Sequence, residues 1–83
     1  MQDYRLKAID LDKGIFRWYE IKPIQDLFGH WSLIVSFGRI NTKGRTKIIS
    51  FDTVEEMHTG LHKILKKRLT AKNRIGCNYT LIT

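Results

Sequence analysis

The sequence predicts an α+β fold: an antiparallel sheet of four to five strands in meander order, with one amphipathic helix packed across it. Three observations predict it. Apolar and polar residues alternate with a period of two through the first half of the chain, as strands with one buried face require. Turn-forming residues interrupt that alternation at short intervals. Beyond residue 53 the apolar period lengthens to that of a helix. Eighty-three residues suit a single domain over 1–83 with one small core.

The elements follow in order. Tyr4, Leu6 and Ala8 alternate with Arg5 and Lys7, which makes the first strand. Asp12-Lys13-Gly14 is a turn, and the aromatic and β-branched run IFRWYEIK returns as the second strand, so residues 4 to 22 form a hairpin. Pro23 cannot donate to a ladder, and the second strand is expected to end there. IQDLFGH is a connection with Asp26 and Gly29 as its turn residues. The third strand opens at Trp31, with Trp31, Leu33, Val35 and Phe37 on one face and Ser32, Ile34 and Ser36 on the other. Asn41-Thr42-Lys43-Gly44 is a tight turn in which Asn and Gly tolerate positive φ, and RTKIISF is the fourth strand.

Thr53 and Glu56 then form a capping box, and Val54, Met57, Leu61, Ile64 and Leu65 line one helical stripe that ends near residue 70. Gly60 costs this helix roughly 1 kcal/mol against Ala, so packing on the sheet has to hold it. The stretch CNYTLIT is a candidate fifth strand.

Composition narrows the function classes. With 42% hydrophobic and 28% charged residues the chain has the make-up of a folded protein, and its net charge of +7 draws it to polyanions. The lone cysteine, Cys77, forms no internal disulfide, and no continuous apolar stretch marks a signal peptide or a membrane span. The expected location is therefore the cytoplasm, at the nucleoid if the partner is DNA, with no membrane association.

Enzyme chemistry is not expected. His58 and His62 stand four apart on the helix, but TGL between them lacks the glutamate of a metalloprotease helix, and no third ligand is evident, so no metal is expected. Cys77 has no base near it in sequence, the eight carboxylates are scattered, and there is no Gly-rich phosphate loop. No cofactor is implied. The lysines late in the helix (Lys63, Lys66, Lys67) suit the negative end of the helix dipole. Arg39, Lys43, Arg45 and Lys47 are different, because a tight bend brings four cations within reach of one polyanion.

The ordered set of DLFG, WSL, GRI and KG, followed by the helix, resembles the WGR domain, named for its Trp-Gly-Arg motif. The resemblance runs over roughly residues 14 to 79 and includes FRWYEI ahead of the motif and Gly76 to Tyr79 at its end. Phe37 takes the place of the motif Trp, Gly38 that of Gly and Arg39 that of Arg, while Asn41 stands where the family often has Gly. The resemblance implies a WGR-like sheet and DNA binding. In poly(ADP-ribose) polymerases this domain holds DNA at a break, its Trp packing on a terminal nucleotide and its Arg contacting DNA or a neighbouring domain. Phe37 keeps a flat apolar face but lacks the indole N–H. Without zinc fingers or a catalytic region, the chain resembles the free-standing version that bacteria often encode.

The expected nucleic-acid contacts are Phe37, Gly38, Arg39, Lys43, Arg45 and Lys47, meeting duplex DNA or its ends through phosphate with little sequence preference. The other open reading is a protein-interaction module that docks a nuclease, helicase or regulator through the same corner.

Overall fold

The computed structural model of the chain describes residues 2–82, apart from the side chain of Arg74. Four long strands come first: β1 (Tyr4–Asp10), β2 (Ile15–Gln25), β3 (Trp31–Arg39) and β4 (Arg45–Phe51). The helices α1 (Val54–Leu69) and α2 (Lys72–Ile75) follow, and β5 (Thr80–Leu81) closes the chain. All pairings are antiparallel, and the strand order is β4-β3-β2-β1-β5, so the C-terminal segment returns to cover the free edge of β1. The fold is thus the expected α+β meander, with its fifth strand reduced to two residues. Thr83, which the candidate fifth strand included, lies outside the described residues.

The period of two does what the sequence requires of it. Leu6 lies opposite Tyr19 and Ile21 opposite Val35, so one face of the sheet collects Leu6, Ala8, Tyr19, Ile21, Leu33 and Val35. Met57 and Leu61 of α1 complete this core, with Ala71 and Tyr79 beyond the helix. Thr53 caps the helix start as expected, its hydroxyl accepting from the Glu56 amide at 3.1 Å, one of the two bonds of a capping box. Gly60 has a structural cause, since a Cβ there would stand 2.7 Å from the Phe51 ring, and the missing side chain is what lets α1 lie close over β4.

Two elements differ from expectation. β2 continues through Pro23 to Gln25, because pairing with β1 stops at Tyr4 opposite Ile21 and leaves β2 open on that side, where a strand tolerates a missing N–H. The short helix α2 was not foreseen. It ends in Gly76 at φ 100°, a left-handed cap that turns the chain back toward β1.

Candidate nucleic-acid interface

β3 ends in Phe37-Gly38-Arg39, and the backbone around that corner is tightly fixed. Gly38 faces Trp18 across the ladder, and a Cβ on Gly38 would stand 2.7 Å from the Gly44 Cα. Gly44 itself has φ 65°, and a Cβ there would overlap the Phe37 carbonyl and come within 2.7 Å of the Trp18 ring. Two glycines therefore let the loop fold back on its own strand. Asn41 takes the left-handed conformation at φ 72°, as its position in the turn led one to expect. The Arg39 carbonyl then accepts three donors: Trp18 Nε1 at 2.9 Å, Thr42 Oγ1 at 2.7 Å and the Thr42 amide at 3.1 Å.

The side chains fall into three groups. Phe37 is half-buried, with its ring stacked on Tyr19 at 5.6 Å and 17°, so it flanks the core and also walls a shallow pocket. Arg39 is exposed and lies directly opposite Arg17 of β2. Arg45, opposite Phe37, and Lys47, opposite Val35, follow on the same face, and both are exposed, as is Lys43 in the loop. The register therefore brings Phe37, Arg39, Arg45 and Lys47 to one face, whereas Gly38 acts through backbone spacing.

Sequence reasoning missed four contributors. The pocket, of roughly 200 Å³, is lined by Arg17, Phe37, Gly38, Arg39 and Tyr79. A second hollow beside it, of roughly 240 Å³, shares Arg17 and Arg39 and adds Lys13. Arg17 could have been found by counting outward from the DLFGH loop, which sets the β2–β3 register. Tyr79 could not, because it arrives through α2. It is seated by its amide, which donates to the Arg68 carbonyl at 3.0 Å, and by edge-on contact with Tyr19 at 5.9 Å. Arg68 lays its guanidinium over Tyr19 at 4.4 Å and nears Tyr79 at 6.0 Å, while its Nε is buried without a hydrogen-bond partner.

Asp10 and Asp12 stand at the β1–β2 turn of this end, yet among the described residues neither Arg17 nor Arg39 makes an ion pair. Two like charges therefore face each other across the ladder without compensation, an arrangement that costs a sheet stability. His58 and His62 are exposed on α1, and among the described residues no three His, Cys, Asp or Glu side chains gather as a metal site. Among those residues, too, no helix is long and apolar enough to cross a membrane.

Together these features define a small sheet-and-helix module with an aromatic, arginine-lined corner at one end. The chain belongs to the WGR domain family, which matches it over residues 2–74. WGR domains are in general nucleic-acid-binding modules. The match takes in β1, ahead of residue 14, and stops short of Gly76 to Tyr79. A comparison with curated proteins finds no match.

Proposed function

We propose that this protein binds duplex DNA, or its ends, through phosphate contacts made at the Arg17–Arg39 corner, with little sequence preference. The observation that carries this reading is the uncompensated cross-strand pair of arginines beside a pocket walled by Phe37 and Tyr79. A fold tolerates such a pair where a bound anion relieves it. Planar guanidiniums suit phosphate, and the partly exposed ring of Phe37 suits a sugar or terminal base. Lys43, Arg45 and Lys47 extend the cationic track away from the pocket along the β3–β4 hairpin. None of these groups is set among side chains that would read base edges, so positioning on the backbone, not sequence readout, is the expected mode. The reading assigns no reaction and no cofactor to the chain.

The test is a binding titration against blunt duplex, single strand and closed circular DNA at two salt concentrations. With about four phosphate contacts, log affinity against log salt falls with a slope near −3 to −4 through counterion release. A preference for the blunt duplex over the circle marks the Phe37–Tyr79 pocket as an end site. A flat salt dependence, or no binding at low salt, rejects the reading.

A further inference from the structure

The end of the sheet opposite the arginine corner presents a second surface, built on Asp26-Leu27-Phe28-Gly29-His30. Leu27 and Phe28 stand in solvent, 101% and 86% exposed. They ride on a closed turn. One oxygen of the Asp26 carboxylate accepts from the amides of Phe28 at 2.8 Å and His30 at 2.9 Å. The Asp26 amide donates to the His30 carbonyl at 2.9 Å, and the Gly29 amide to the Asp26 carbonyl at 3.2 Å. Gln25 closes the base by donating from Nε2 to the Gly29 carbonyl at 3.3 Å. Two large apolar side chains held outward on a fixed turn form a pre-ordered docking knob, because little further ordering is needed on contact.

The surroundings of the knob are acidic. No Lys or Arg occurs from Pro23 to Gly38 or from Ile48 to His62. The register brings the ends of these segments together, with Gln25 opposite Trp31 and Trp31 opposite Phe51. Asp26, Asp52, Glu55 and Glu56 belong to this end, the last two in the first turn of α1. The natural complement of an apolar knob with acidic neighbours is an apolar hollow rimmed by cations. This chain carries such a hollow at its other end, where Phe37 and Tyr79 form the walls and Arg17 and Arg39 the rim.

We propose that the Leu27–Phe28 turn of one copy docks into the Arg17–Arg39 pocket of a second copy, giving a weak head-to-tail association. Repulsion between two chains of charge +7 does not forbid it. Each molecule extends 46 Å, whereas charges are screened beyond about 8 Å at physiological ionic strength, so the groups facing each other at the junction decide. Knob and pocket are different surfaces, so the contact is heterologous and leaves a free knob and a free pocket after every addition. The inference stands independently of DNA binding.

Two variants of the full chain test it. Leu27→Ser with Phe28→Ser removes the knob, and Arg17→Glu with Arg39→Glu reverses the charge of the rim. All four side chains are exposed, and an unchanged melting temperature verifies that each variant folds. Sedimentation at roughly 0.5 mM suits an interface smaller than those of stable complexes. The expected result is a wild type that grows beyond dimers with concentration, and variants that each remain at 9.8 kDa alone. Their equimolar mixture forms a dimer and nothing larger, because one intact knob meets one intact pocket. A wild type that stays monomeric, self-association by either variant, or variants that fail to pair on mixing overturns the proposal. Pairing of the variants without any DNA binding by the wild type upholds it and rejects the DNA reading alone.

Discussion

The two ends of the sheet are built by the same device and carry opposite chemistry. At the cationic end a backbone carbonyl, that of Arg39, gathers three donors and fixes the loop after β3. At the acidic end a side-chain carboxylate, that of Asp26, gathers two amides and fixes the loop before it. In both places several donors converge on one acceptor, which leaves neighbouring side chains free to face outward. The difference lies in what they face outward with: guanidiniums beside a half-buried aromatic at one end, bare apolar groups beside carboxylates at the other. A sheet crossed by one long helix has its core in the middle, so its two ends are where sequence is released from packing and available for binding.

The comparison can be broken most severely through the glycines. Gly44→Ala places a Cβ against the Phe37 carbonyl and the Trp18 ring at a positive φ, so both strain and overlap act, and a loss of about 3 kcal/mol or more is expected. Gly29→Ala meets the same handedness at φ 80°, yet its nearest neighbour is the tip of Gln25 at 3.9 Å, so only the conformational cost of about 1 kcal/mol remains. Denaturant titration of both variants measures the gap. Equal losses would mean that the cationic corner is no more tightly built than the acidic one.

Next in size is a separation of binding from stability. Arg17→Ala is expected to lose about 1 to 3 kcal/mol of DNA binding and about one unit of salt slope. The same variant removes a like-charge neighbour of Arg39, so its melting temperature should hold or rise. Lys22→Ala, on the opposite face of β2 and ion-paired to Glu20 at 3.5 Å, should leave binding unchanged. Equal weakening by the two variants would reduce the corner to general positive charge. Smaller again is Trp18→Phe, which keeps an aromatic over Gly44 but removes one of the three donors to the Arg39 carbonyl, costing about 1 kcal/mol in a melting experiment.

How much of this was legible in sequence depended on how local the cause was. The alternation of Trp31 to Phe37, the helix cap at Thr53 and the turn at Asn41 are decided within a few residues, and all stand as read. The cross-strand meeting of Arg17 with Arg39 needs the β2–β3 register, and Tyr79 reaches the pocket only after α2 reverses the chain. Pro23 misled because a proline signals the end of pairing on one side of a strand, not the end of the strand. Trp18 read as one more strand aromatic, since nothing in its sequence neighbourhood says that its indole N–H caps a carbonyl on the next hairpin.

The smallest expected effect is a selective loosening of the acidic end in acid. Desolvation is the largest single influence and pushes the Asp26 carboxyl up, but the amides of His30 and Phe28 and the adjoining imidazole together outweigh it and hold the group below its ordinary 3.8. A depressed carboxyl stabilises the folded turn above the unfolded value, and that contribution is lost as pH falls through the folded one. Once pH falls below that depressed folded value, the neutral acid is a poorer acceptor for two amides, so the Leu27–Phe28 turn should open while the sheet persists. At the other end the Arg39 carbonyl is held by an indole N–H, a hydroxyl and an amide, none of which titrates in that range. Amide hydrogen exchange followed from pH 6 down to about pH 3, corrected for the intrinsic pH dependence of exchange, reads both ends in one sample. Loss of protection is expected at Phe28 and His30 but not at Thr42. Simultaneous loss at Thr42 would mean that acid loosens the whole fold, and unchanged protection at Phe28 would mean that the carboxylate does not hold the turn.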